Sequence, residues 1–310
     1  MRTAMIRAVF LAAPLLTVGG GAAAQEEQDR IDSAFSDTIV STLGYPELAV
    51  TVGPEGIEAP ASVTAGYHVV RLSAADDFIG YLDIVQTPAG LSEPEQVDQA
   101  LAAGRDDMPQ AGWIYFGGTN TPGVGDSASF IIRLEPGEYK LAASYYAEAE
   151  GSEEHMALAP LTVTEAPASP AASPVASAAP PASVTLAAND NLQYIVTPDA
   201  VPAGPQLWKI ANTGEHHPHH VVMVRVPDGT TAPQIVQEFN AMISGTPAAG
   251  EPVFAKFVWV GYAALQSGGQ TTWAEFDLKP ATYAVVCFII DEATGRPHAA
   301  DGMVTVFSVK

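Results

Sequence analysis

The sequence predicts an all-β protein built as two Greek-key β-sandwiches in tandem, each with one inserted short helix, joined by a Pro/Ala/Ser-rich linker. Three observations lead there. Short runs rich in Val, Ile, Thr and aromatic residues, such as LWKI (207–210), HHVVMVRV (219–226), TTWAEFDL (271–278) and TYAVVCFII (282–290), are separated by Gly and Pro, as strands are. The stretch APASPAASPVASAAPPAS (166–183) has nothing to bury and divides the chain into similar lengths. The sequences on its two sides repeat one another in order. SVTAGYHVVRL (62–72) matches AVPAGPQLWKI (200–210), IVQTPAGLSEPEQV (84–97) matches MVRVPDGTTAPQIV (223–236), LEPGEYKLAAS (134–144) matches LKPATYAVVCF (278–288), and HMALAPLTV (155–163) matches HAADGMVTV (298–306).

The chain begins as an exported protein would. Arg2 and Arg7 precede a short apolar run, Ala8 to Val18, and Ala22, Ala23 and Ala24 form a small-residue cleavage site before Gln25. This is the pattern of a secretory signal peptide over residues 1–24, which places the mature protein outside the cell or in a periplasm. No later stretch reaches 18 apolar residues, so no transmembrane segment is expected. Two domains follow, at 25–165 and 184–310, each long enough to bury a core.

Charge is shared unevenly. Residues 25–165 hold 24 acidic and 5 basic side chains, and residues 184–310 hold 11 and 6. Phosphate backbones require Lys and Arg, so neither half reads as a nucleic-acid binder. The acidic surface suits solubility or the steering of a basic partner.

Each half has one helix signal. Thr231 to Gln234 forms a capping-box pattern with Pro233 in the first turn, and Ile235, Val236, Phe239, Met242 and Ile243 fall on one helical face. Ser92 to Glu95 repeats the pattern, followed by Val97 and Leu101.

The chemistry concentrates at the C-terminus. Cys287 is the only cysteine, so it forms no disulfide within the chain, and a lone thiol in an oxidising compartment needs burial or ligation. It shares a strand face with Tyr283, Val285 and Ile289. After ten residues containing Gly295 and Pro297 come His298 and then Met303, ahead of the last strand. Upstream, His219 follows Pro218 at the start of another strand. Thiolate, thioether and two imidazoles are what a soft metal such as copper takes in a trigonal site with a weak axial Met. Read one at a time, Cys287 is also a small buried hydrophobe, Met303 core, and the histidines at 216, 217, 219 and 220 a surface cluster. His216, His217 and His220 are expected exposed, His220 on the face opposite His219, and whether those three form a second metal site stays open at this level.

Residues 184–310 resemble the cupredoxins, the small blue-copper proteins of the plastocyanin type. The carrying motifs are Asn212…Pro218-His219-His220-Val221-Val222 and Cys287…His298-x4-Met303 with its Gly302-Met303 pair. The first has one residue more than the family pattern, and the loop between Cys287 and His298 is longer than the family's. The resemblance implies cupredoxin-like sandwiches and one mononuclear type 1 copper held by His219, Cys287, His298 and Met303. It also implies one-electron transfer to a transient redox partner, with the His298 edge reaching the surface beside Pro297, Ala299 and Ala300. A copper carrier or storage protein, or a metal-free structural module, are the alternatives. In the N-terminal copy Gly80, Ala143 and Pro160 stand opposite His219, Cys287 and Met303, and only His155 matches a ligand, opposite His298. That copy is expected to hold no type 1 copper. Cys287 is flanked by Val286 and Phe288 rather than histidine, and no Ser-His-Asp or paired-carboxylate pattern occurs, so the expectation is a protein that is not an enzyme. Oligomeric state is not legible.

Overall fold

A computed structural model describes residues 31–106, 108–147, 154–166, 178–246 and 253–310. The leader at 1–24 and most of the linker, 167–177, lie outside the described residues. In the N-terminal half the strands are β1 (Glu47–Gly53), β2 (Gly56–Glu58), β3 (Ser62–Thr64), β4 (Gly66–Ala74) and β5 (Phe78–Gln86), then helix α1 (Glu93–Asp106), then β6 (Ile114–Asn120), β7 (Ser127–Leu134), β8 (Gly137–Ala147) and β9 (His155–Thr164). The C-terminal half has β10 (Val184–Asn189), β11 (Gln193–Thr197), β12 (Gly204–Asn212), β13 (His219–Val226), helix α2 (Ala232–Ser244), β14 (Val258–Gln266), β15 (Thr271–Leu278), β16 (Ala281–Val286), the two-residue strands β17 (Ile290–Asp291) and β18 (Arg296–Pro297), and β19 (Val304–Val309). Among the described residues this is the expected pair of β-sandwiches with one α-helix in each. Among the described residues no helix is long and apolar enough to cross a membrane.

The two halves share one strand order. One sheet reads β2–β1–β4–β7 in the first half and β11–β10–β12–β15 in the second, and the other contains β9–β8–β5–β6 and β19–β16–β13–β14. The sheets also run on from one half into the other. β7 pairs antiparallel with β15, Ile131 opposite Trp273, and β6 pairs with β14, Phe116 opposite Gln266. Each joint sets a strand against its own counterpart, as an isologous two-fold dimer would. Ile131, Leu207 and Trp273 form a small core at this seam with Val40, Tyr67 and Val69.

The first described residues belong to the far half. The Asp32 and Ala34 N–H groups donate to the carbonyls of Trp259 (2.9 Å) and Val260 (2.8 Å), and Phe35 stacks on Phe276. Asp32 bonds Arg225 and Lys279 at 2.7 and 3.0 Å. Buried Glu275 accepts the Ile39 and Val40 N–H groups at 2.7 and 2.9 Å, satisfying donors at the start of a 3-10 turn. The seam also encloses the Asp83 carboxyl. Burial pushes it up to about 7 against the Leu265 backbone hydrogen bond, and Oδ1 has no partner among the described residues.

Strand β13 explains how the C-terminal half is layered. Val221 and Met223 face the sandwich interior with Trp208 and Phe276, while Val222, Val224 and Val226 face Ile235 and Phe239 of α2. Period-two alternation therefore sends His219 inward and His220 to the helix side. The α2 capping box forms as expected, with the Thr231 hydroxyl accepting from the Gln234 N–H and the Gln234 side chain accepting in return. In α1 the Ser92 N–H and hydroxyl both donate to Glu95. Among its described side chains the buried ones are Gln96 and Ala100, one position before the expected Val97 and Leu101, and the Gln96 amide donates to the Leu91 carbonyl at 2.8 Å.

Candidate metal centre

The centre is assembled from one loop clamp and one hairpin. At the end of β12, Asn212 donates through Nδ2 to the carbonyls of His217 (2.8 Å) and Gln266 (2.9 Å) and accepts the Gly214 N–H on Oδ1. The Asp190 carboxylate collects the N–H groups of Glu215, His216 and His217 at 2.8, 3.0 and 3.1 Å. Those bonds hold its pKa down to about 2. The loop is thus fixed from both sides, Pro218 closes it, and His219 opens β13 in a fixed position.

On the other side, the ten residues after Cys287 do not wander. Ile290–Asp291 pairs back on Arg296–Pro297 around a turn with Gly295 at φ 64°, a left-handed value that suits glycine. This small hairpin returns His298 to the thiol, where the His298 N–H donates to Ile289 O (2.9 Å) and the Ala299 N–H to Cys287 O (2.8 Å). Residues 298–301 make a 3-10 turn ended by Gly302 at φ 109°, and the Met303 N–H then donates to His298 O at 2.9 Å. The Cys287 N–H reaches Met303 O at 3.3 Å. The longer loop is accommodated by a hairpin of its own.

These constraints bring three donors together. Cys287 Sγ lies 3.5 Å from His298 Nδ1 and 4.0 Å from His219 Nδ1, and the two Nδ1 atoms are 3.2 Å apart. His219, Cys287 and His298 are 2%, 0% and 1% exposed. His219 Nε2 is 3.1 Å from the Asn189 carbonyl, which fixes its proton there and leaves Nδ1 unprotonated toward the thiol. Burial, then the neighbouring imidazoles, lower His219 to about 3 and His298 to about 4, so both rings are neutral near pH 7. Met303 is fully buried in the same apolar cluster as Cys287, its backbone tied to both Cys287 and His298. A soft thiol and two neutral imidazole nitrogens, converging without solvent, fit a borderline-to-soft metal ion.

Several expectations change. The His298 edge does not reach the surface. The His217 ring stands edge-on to it at 5.6 Å, and Pro297, Ala299 and Ala300 are buried too. His220 is not exposed but 6% accessible, on the face opposite His219 as expected. Its Nε2 accepts the Phe288 N–H at 2.8 Å beside Cys287, and the ring packs against Tyr262 and Phe288. His216 is exposed and His217 half-buried, so the three histidines left open do not converge. The sequence reading missed two neighbours of the centre. Tyr194 of β11 donates its hydroxyl to the His220 carbonyl and lies against Cys287. Asp291 of the hairpin reaches His217 at 3.4 Å. The alternation of β11 marks Tyr194 as inward-facing, but no local pattern joins positions 217 and 291.

The equivalent place in the N-terminal half is filled. A Cβ on buried Gly80 would stand 2.4 Å from Val52 Cγ2, so apolar packing occupies the imidazole position. Ala143 is fully buried, and the residue across from it is Ala157, not Pro160, which pairs with Lys140. His155 is exposed and stacks on Tyr145.

No family model matches this chain, and neither does any curated protein. Solved structures do. Auracyanin A, a "blue" copper protein from Chloroflexus aurantiacus, is 19% identical over 41% of this chain and 96% of its own, at a TM-score of 0.28. A Cu-containing nitrite reductase from Thermus scotoductus is 11% identical over 85% of this chain and 61% of its own (TM-score 0.21), and the multicopper oxidase mgLAC is 11% identical over 85% of both (TM-score 0.21). The described sheets are those of β-sandwiches. Scores this low identify neither reaction nor ligand. One expectation is corrected nonetheless. The expectation that the chain is not an enzyme does not stand, because the structures that match across 85% of it include a Cu-containing nitrite reductase and a multicopper oxidase.

Proposed function

We propose that this is an exported copper-binding protein whose C-terminal domain, 184–310, holds one mononuclear type 1 copper and moves single electrons. His219, Cys287 and His298 would be the equatorial ligands and Met303 the weak axial one. The observation that carries this reading is the convergence of two imidazole Nδ1 atoms and one thiol within 4.8 Å, all buried. When bound, copper supplies a one-electron Cu(II)/Cu(I) couple. The chain's own part is to hold the cage still. The Asn189 carbonyl keeps the His219 proton away from the metal side, and Asn212 and Asp190 fix the loop before it. The His220 ring pins the Phe288 N–H and so the residue next to the thiolate. Such fixed ligands suit both oxidation states and keep water out. The partner would be a redox protein, drawn by the acidic surface if it is basic. The domain 25–165 lacks the ligands and would serve packing or docking.

The test is the visible spectrum of purified full-length protein titrated with Cu(II). An intense thiolate-to-copper band saturating at one equivalent is expected. Absence of that band at any loading would end the type 1 reading.

A further inference from the structure

The buried trio has a cover whose chemistry differs from its own. His217, Asp291 and His298 present three donor atoms within 4.8 Å of one another. His217 Nδ1 stands 3.4 Å from Asp291 Oδ2, too far for a strong hydrogen bond, while Asp291 Oδ1 is engaged separately by the Thr294 N–H at 2.7 Å. His219, Cys287 and His298 are sealed, but the His217 side chain is 34% exposed and that of Asp291 11%. His217 lies edge-on to His298, with ring centroids 5.6 Å apart, and 6.4 Å from the His219 ring. Its backbone cannot follow a movement of the ring. The His217 N–H is held by Asp190 and its carbonyl by Asn212. The side chain can therefore swing about χ1 while the loop, and His219 two residues on, stay in place.

Donor type makes the two layers a sequence. Imidazole, carboxylate and imidazole suit a hydrated divalent first-row ion, which arrives with oxygen ligands; imidazole, thiolate and imidazole suit the same ion once it is dry. His298 belongs to both groups.

We propose that His217, Asp291 and His298 form an outer cation site that takes a divalent ion such as Cu(II) from solvent and passes it inward to His219 and Cys287, His298 being shared; this rests on the reading of the inner trio as a copper site. The transfer is a ligand exchange without change of oxidation state. Bonds to Asp291 and His217 are lost, the ion ends on Cys287 Sγ, His219 Nδ1 and His298 Nδ1, and the thiol proton leaves to solvent. His217 then returns over His298 as the lid.

Stopped-flow mixing of the full-length apoprotein with Cu(II) reads the passage directly. His217→Ala and Asp291→Asn should each slow the appearance of the thiolate-to-copper band about tenfold or more, while its final intensity and position stay those of the wild type. Rates within about twofold of wild type, or a shifted final band, overturn the proposal. A second measurement stands apart from the inner site. Cys287→Ser should still bind one Cu(II) with a tetragonal nitrogen/oxygen-type EPR spectrum, and adding Asp291→Asn should weaken that binding about tenfold. Equal binding by the single and double variants excludes the outer site. If the wild type never develops the band, the inner copper reading fails, and the EPR pair still decides the outer one.

Discussion

Where the C-terminal half places His219, Cys287 and Met303, the N-terminal half places Gly80, Ala143 and Ala157 on strands of the same order. Gly80 and Ala143 are buried and Ala157 partly so, but the second half keeps a polar interior of donor side chains and the first closes it with Val52. The difference is made by a few side chains on a shared frame. A sandwich of this kind is stable without a metal, because strand pairing and the apolar interior form either way. The ligands are then free to be gained or lost with little consequence for the fold.

The comparison can be broken most completely at the ligands. Cys287→Ser or His219→Ala should remove the thiolate-to-copper band entirely while the far-UV circular dichroism stays unchanged, since serine cannot supply the sulfur charge transfer and the apolar frame is intact. Unfolding of both variants would mean that the trio is structural. The N-terminal half should fail differently. Gly80→Ala places a methyl against Val52 and should cost about 1–3 kcal/mol in urea denaturation, with no change in copper stoichiometry.

A third test addresses the seam between the halves. The Asp83 carboxyl is raised to about 7 by burial, whereas an exposed one titrates near 3.9. The folded state therefore favours the protonated acid. Stability from this group is complete below about pH 4 and declines by up to about 1.4 kcal/mol per pH unit until pH passes about 7. Asp83→Asn should flatten that decline in denaturation measured across the window. An unchanged slope would mean that the carboxyl reaches water. The smallest effect is expected at Met303. Met303→Leu keeps volume and removes sulfur, so apoprotein stability should change by less than about 1.5 kcal/mol. Voltammetry of the copper form should show a more oxidising site, and an unchanged potential would make Met303 plain core.

Local signals carried most of the fold. Thr231 and Gln234 announce α2 because a capping box is written within four residues, and Tyr283, Val285, Cys287 and Ile289 share a face because strand periodicity is two. Asn212 holds the His217 carbonyl within one loop and Pro218 leads directly into His219, so that part of the site is legible too. What escaped reading depends on pairings distant in sequence. Nothing near Trp273 marks it as the neighbour of Ile131, and nothing near His217 points to Asp291. The burial of His298 follows from the hairpin at 290–297, whose two-residue strands leave too little pattern to detect. The misplacement of Pro160 for Ala157 is a register slip, which repeated apolar residues such as those of β9 do little to prevent.

The continuous sheets give the chain between 166 and 178 a concentration to set. Two separate molecules meeting through β7 with β15 and β6 with β14 would have to find each other at whatever dilution they were kept. A short covalent connection supplies an effective concentration on the order of millimolar. A contact with a dissociation constant of about 1 mM, roughly 4 kcal/mol, is half closed at that concentration, and each further 1.4 kcal/mol closes it about tenfold more. The seam, with its Ile131–Trp273 core and the Asp32 to Val40 segment laid across the opposite half, can therefore be modest as an interface and still be permanent as architecture. A protein diluted without limit would keep the half that lacks the metal-type donors beside the half that carries them.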